Sequence, residues 1–281
     1  MNILVAVDEH PYSSYAIGEV SRLAGNTWPD VTLLGVAPEI SPDENNPMLR
    51  MLRNYRRDLL AGMGSTAEIY GTVSDTGEFR LVEKNVLEES ASGRKTFRLR
   101  LRSDDPAKSI LTEAKHASSD LIILGCSQGE SDWSNDTTVS GKVAEGAECS
   151  VFVVKETKFP AKVTCCLDHA HVSQASLEMI NQIVTLYGVD LEIVGVQKHG
   201  SLKKDQEQVM GNVLDYYLER NVRALLRLVD DDALESFFSM GARTDLMALW
   251  VGPTSPFQRF FPRHRVSELV NSSLSSILLL R

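Results

Sequence analysis

The sequence predicts an α/β protein built from two tandem doubly wound parallel five-stranded sheets, the first carrying a β-hairpin-like insertion. Three observations predict it. The chain repeats itself: Asn2-Ile3-Leu4-Val5-Ala6-Val7-Asp8 returns as Lys162-Val163-Thr164-Cys165-Cys166-Leu167-Asp168, an apolar run closed by an aspartate, 160 positions later. In both copies a Gly-Val pair (Gly35-Val36 and Gly195-Val196) ends a second apolar run 28 residues after the aspartate. Equal intervals argue for one unit copied in tandem. Short apolar runs also alternate with segments of helical spacing, the mark of βαβ units and a parallel sheet.

A later echo, Val139-Ser140-Gly141-Lys142-Val143 against Val266-Ser267-Glu268-Leu269-Val270, has an offset of only 127. The first copy therefore holds 33 more residues in its middle, 160 less 127. The boundary between copies falls near Thr157, giving domains over 1–156 and 157–281.

Each element follows from its own pattern. Residues 2–7 are continuously apolar, which suits a strand covered on both faces. Ala16, Ile17, Val20, Leu23 and Ala24 are spaced for a helix over 13–24. A second buried strand is expected over 31–36, a helix over 47–63, and a strand over 97–101, where apolar residues alternate with arginines. Residues 106–117 read as helix, 121–124 as strand, 138–147 as helix and 151–154 as the closing strand. The second copy repeats the scheme: strands over 162–167, 191–196, 224–229, 246–251 and 277–280, with helices over 173–187, 205–220, 233–242 and 266–273.

The insertion spans about 64–93. Residues 67–73 and 78–82 flank Ser74-Asp75-Thr76-Gly77 and are read as a hairpin, followed by a short polar helix or loop. It is either a tolerated surface insertion or an extra edge that covers or pairs with another subunit.

With 43% hydrophobic and 24% charged residues the composition is globular, and no apolar run reaches the length of a membrane span. No membrane contact is expected. MNILVAVDE lacks the basic start of a secretory leader and already reads as a strand, so the cytoplasm is the expected compartment. A net charge of −9 argues against nucleic-acid binding, which needs a basic surface. The four cysteines, Cys126, Cys149, Cys165 and Cys166, lack paired CxxC spacing and are read as reduced and mostly buried. Asp168-His169-Ala170-His171 offers no further ligand, so no metal site is predicted. No nucleophile stands beside a base, and no catalytic residue is predicted.

ILVAVDEHPYSSYAIGEVSRLA resembles the opening of the universal stress protein family. SDLIILGCSQG and then TTVSGKVAEGAECSVFVV are similar to its closing strand, phosphate loop, helix and final strand. The second copy matches through VTCCLDHAHVSQASLEMI and RVSELVNSSLSSILLL, and the chain is identified as a tandem member. The resemblance implies an adenine-nucleotide α-hydrolase-like fold and, in many members, ATP in a cleft at the carboxyl ends of the strands. Asp8 and Val36 occupy the places that meet the nucleoside. The phosphate loop of the family runs Gly, two residues, Gly, nine residues, Gly, then Ser or Thr. Its counterpart carries the remaining candidates, Gly125, Ser127, Gly129, Thr137, Thr138 and Val139.

The loop departs from that pattern. Three residues separate Gly125 from Gly129, seven follow, and Thr137 stands in place of the last glycine. Glu130, Asp132 and Asp136 accompany it with no Lys or Arg, so a polyphosphate would need a metal such as Mg between like charges. The expectation is at most a weak ATP or AMP site in domain 1, set against the plainer reading that Asp8 caps a βα turn. In the second copy the loop after Gly252 has no glycine and three prolines. Arg259, Arg263 and Arg265 precede a helix there and form a candidate anion site. The competing reading packs Phe257, Phe260 and Phe261 over the sheet or the other domain.

The family resemblance further implies an intramolecular pseudo-dimer through the final strands, 151–154 and 277–280. The function expected is a cytoplasmic stress-response sensing or regulatory protein, open to further homo-oligomerisation or a protein partner. The alternatives are a slow ATP-hydrolysing enzyme and a ligand-free interaction scaffold.

Overall fold

A computed structural model describes residues 1–43, 46–71, 78–127, 138–156, 159–166, 172–197, 204–251 and 263–281. The chain divides into two compact units, Met1–Glu156 and Thr157–Arg281. The first contains β1 (Asn2–Ala6), α1 (Pro11–Thr27), β2 (Asp30–Val36), α2 (Pro47–Met63), β3 (Arg80–Glu83), β4 (Val86–Ser92), β5 (Thr96–Arg102), α3 (Pro106–His116), β6 (Leu121–Cys126), α4 (Val139–Gly146) and β7 (Ser150–Lys155). Its strands lie in the order β7, β6, β1, β2, β5, all parallel, and β4 and β3 continue the sheet antiparallel beyond β5. From β1 the chain adds strands first toward β2 and later toward β6. The crevice between the ends of β1 and β6 is therefore the topological switch point, where open α/β sheets bind ligands.

Strands β1, β2, β6 and β7 are buried along nearly their whole length, as their largely apolar runs require. Helices α1, α2 and α3 each begin with proline, whose missing N–H costs nothing in a first turn. Asn46 and Asp105 cap the latter two by accepting from the amides of Met48 and Lys108. The predicted stripe of α1, Ala16, Ile17, Val20, Leu23 and Ala24, is its buried face.

The insertion differs from its expectation. Residues Gly64–Tyr70 form a 3-10 helix continuing from α2, and Tyr70 is wholly buried, with its hydroxyl donating to Pro29 O at 2.8 Å. A strand over 67–73 would have given up that anchor. The hairpin is β3 and β4 around Lys84 and Asn85, and the expected turn at 74–77 lies outside the described residues. The polar stretch read as helix or loop is β4. Its glutamates concealed it, because their partners are remote in sequence: Glu88 accepts from Arg100 at 2.8 Å, and Glu89 accepts from Arg53 at 3.0 Å and from Arg56. Consecutive strand residues face opposite ways, so Glu89 reaches α2 while Glu88 meets Arg100, which also binds Glu113 of α3.

The second unit contains β8 (Lys162–Cys166), α5 (Gln174–Tyr187), β9 (Asp190–Gln197), α6 (Lys204–Leu218), β10 (Ala224–Asp230), α7 (Leu234–Gly241), β11 (Leu246–Trp250), α8 (Arg263–Ser272) and β12 (Ile277–Leu280). Its parallel order is β10, β9, β8, β11, β12, the same path through the sheet as β5, β2, β1, β6, β7. The α/β fold class follows in each unit. A Cβ on Gly35 would sit 3.4 Å from Leu101 and 3.5 Å from Met48, and one on Gly195 would sit 3.0 Å from Leu228 and 3.1 Å from Met210. Gly195 makes room for Met210 of the next helix and Leu228 of the next strand, whereas a Cβ on Gly35 would meet its neighbours at ordinary contact distance.

Glu192 of β9 is buried yet ionised, held by Lys162 at 2.7 Å and Arg227 at 3.3 Å. Burial alone would raise its pKa, but the two cations outweigh burial and leave it below the usual carboxylate value. Among the described residues no helix is long and apolar enough to cross a membrane.

Candidate functional site at the switch point

Asp8 follows the end of β1, where Val7 N still donates to Leu34 O of β2 at 2.9 Å. Its carboxylate is engaged by its own turn. Oδ1 accepts from His10 N at 3.0 Å and from Ser13 Oγ at 2.7 Å, while Oδ2 accepts from Tyr12 Oη at 2.5 Å. Tyr55 of α2 donates to Asp8 O at 3.0 Å, tying a second helix to the same turn. Burial first, and the Asp8 charge second, hold the Tyr12 phenol well above its ordinary value. A carboxylate has about four acceptor positions, so this one keeps about one for a ligand.

Gly125 stands across the crevice on β6. A Cβ there would lie 2.4 Å from Tyr12 O, so only glycine lets the first turn of α1 lie against this strand. Its glycine identity is thus required by packing as well as by any phosphate. Cys126 and Ser127 carry the chain out of β6. Thr138 caps α4, its Oγ1 accepting from Gly141 N at 3.1 Å and lying 3.0 Å from Ser140 Oγ. Ser140 in turn reaches Cys126 Sγ at 3.3 Å, which brings the amino end of α4 to the carboxyl end of β6. Val139, the first helical residue, is exposed, and Val36 closes β2 opposite Arg102 of β5.

Among the predicted residues, contacts link Asp8 through Tyr12 to Gly125, and Thr138 through Ser140 to Cys126. Gly129 and Thr137 lie outside the described residues, as do Asp168 and Arg259. Arg263 and Arg265 do not precede the last helix but stand in the first turn of α8, where a cation opposes the helix dipole. Arg265 is exposed and lies 3.8 Å from Glu235, which already supplies a negative partner.

One residue was missed. Lys155 ends β7 and is 2% exposed, its ammonium donating to Cys126 Sγ at 3.2 Å and to Ser127 O at 3.3 Å. The phosphate loop has no cation of its own in sequence, yet the fold delivers one to its first residues. A lysine closing the otherwise apolar run Val151 to Val154 was the available signal, and its register partner in the parallel pair is Cys126. Among the described residues no group of three or more His, Cys, Asp or Glu side chains is placed to hold a metal ion.

The model of the universal stress protein family matches residues 1–155. The chain belongs to the universal stress protein family. In fold it is similar to a universal stress protein from Archaeoglobus fulgidus at 12% identity and a TM-score of 0.61, covering 100% of this chain and 96% of that one. A protein of Pseudomonas aeruginosa proposed to be a universal stress protein matches at 13% identity and a TM-score of 0.56, over 99% of this chain and 92% of the other. A universal stress protein solved with cAMP matches at 14% identity and a TM-score of 0.38, covering 56% of this chain and 98% of its own. That last likeness is too slight to carry a ligand across. No curated protein matches.

Proposed function

We propose that the first unit holds an adenine nucleotide, ATP or AMP, weakly at the crevice between β1 and β6. On this reading the chain acts as a cytoplasmic stress-response regulator whose ligand biases its partners. The observation that carries it is the meeting of Ser140 with Cys126 beside Lys155, which places a capped helix start and a buried ammonium together at the switch point. Lys155 supplies positive charge that Glu130, Asp132 and Asp136 deny, and Mg would serve the outer phosphates of ATP. Four cysteines outside any disulfide fit a reducing compartment. The shared strand order supports reading residues 157–281 as a second, diverged universal stress domain.

A second reading, a scaffold with a ligand-free crevice, is favoured by the three donors already on Asp8. Calorimetric titration with ATP and AMP, with and without Mg, separates the two. Saturable binding that weakens in Asp8→Ala and Lys155→Met supports the nucleotide. No saturable binding, and no nucleotide released from the denatured purified protein, leaves the scaffold.

A further inference from the structure

We infer that Cys126 is a peroxide-reactive thiol, activated by Lys155 and Ser140. It is not a lone cysteine. Two donors converge on its sulfur, Lys155 Nζ at 3.2 Å and Ser140 Oγ at 3.3 Å, and both donor residues are almost wholly buried while Cys126 as a residue is part-exposed. A buried ammonium within hydrogen-bonding reach of sulfur is the neighbour that nucleophilic cysteines use. Thr138 Oγ1, 3.0 Å from Ser140 Oγ, holds that hydroxyl in place. The other cysteines differ in kind: Cys165 and Cys166 are fully buried, and burial pushes both thiols well above the ordinary value.

The donors favour a peroxide over an alkylating reagent, because peroxide chemistry needs a proton for its leaving group. The Cys126 sulfur attacks one oxygen of hydrogen peroxide, an S–O bond forms and the O–O bond breaks. Sulfur is oxidised by two electrons to the sulfenic acid and the peroxide is reduced. The departing hydroxide takes a proton from the Lys155 ammonium and leaves as water, and Lys155 is reprotonated from solvent. Reducing thiol restores the starting state. The reaction requires no nucleotide, although it uses the Lys155 and Ser140 that border the ligand site proposed above.

The test uses the full chain, treated with hydrogen peroxide and trapped with dimedone, each cysteine being followed by peptide mass spectrometry. Cys126 is expected to label at least tenfold faster than half-buried Cys149. Lys155→Met is expected to slow Cys126 labelling about tenfold, with Lys155→Arg restoring part of the rate and Ser140→Ala giving a smaller loss. Equal labelling of Cys126 and Cys149 in the unaltered protein overturns the proposal without recourse to any variant. So does an unchanged rate in a folded Lys155→Met protein.

Discussion

The phenol of Tyr12 donates to Oδ2 of Asp8 at 2.5 Å, so the aspartate that follows β1 is bonded by a residue four positions along its own chain. The same carboxylate caps the turn and faces the crevice. Tyr12→Phe removes the donor, and a hydrogen bond to a charged group is worth about 2 kcal/mol. Urea denaturation is expected to show a loss of that size. If the nucleotide reading holds, the freed Oδ2 also raises ATP or AMP affinity severalfold by titration, whereas a ligand-free scaffold shows only the stability change.

Gly125→Ala is a steric prediction. The added methyl would stand 2.4 Å from Tyr12 O, a backbone atom that cannot turn aside. A loss of about 3 kcal/mol in denaturation follows, at the upper end for an overpacked site. An Ala variant as stable as the parent would show that α1 does not press on β6.

Glu89→Gln tests how the insertion is held. Its carboxylate bonds Arg53 at 3.0 Å and also Arg56, which is 2% exposed. Breaking a buried pair costs about 3 kcal/mol or more. Hydrogen exchange should quicken first in β4 and in the 3-10 turn, and protection retained there would contradict the assignment of this pair as the anchor.

Alkaline pH should unfold the chain early. Burial raises Tyr12, Tyr70, Tyr217, Cys165 and Cys166, so all five stay protonated when folded at pH values where the unfolded chain has lost those protons. Their contribution is complete below about pH 8.5 for the thiols and about pH 10 for the phenols, and declines as pH rises above those values. The urea midpoint is expected to fall steadily above about pH 9, and Tyr217→Phe should flatten part of that slope.

Glu192 works in the other direction. Its folded value is depressed, so its contribution is present above the unfolded carboxylate value of about 4.3 and is lost as pH falls through the lower folded value. Glu192→Gln should therefore destabilise at neutral pH and remove part of the acid dependence. An identical acid slope in that variant would exclude Glu192 as its source.

Local pattern carried the fold because burial on both faces of a parallel strand demands unbroken apolar runs, and a duplicated run such as Ile3 to Val7 and Val163 to Cys166 needs no partner to be recognised. The same logic marked Asp8 and the Gly-Val pairs as lying at strand ends. Where a polar residue is stabilised by something distant, local pattern failed. Glu88 and Glu89 made β4 read as helix or loop, since the arginines that neutralise them come from α2 and β5. Lys155 lay one residue past the expected strand and had no assigned role, and only the parallel register with β6 sets its ammonium against Cys126. Sequence alone determined the alternation of elements, the repeat and the positions at the strand ends, through burial and spacing along the chain. Tertiary structure alone decided which charges meet, because an ion pair or a thiol–ammonium contact depends on distances across the sheet that no local periodicity encodes.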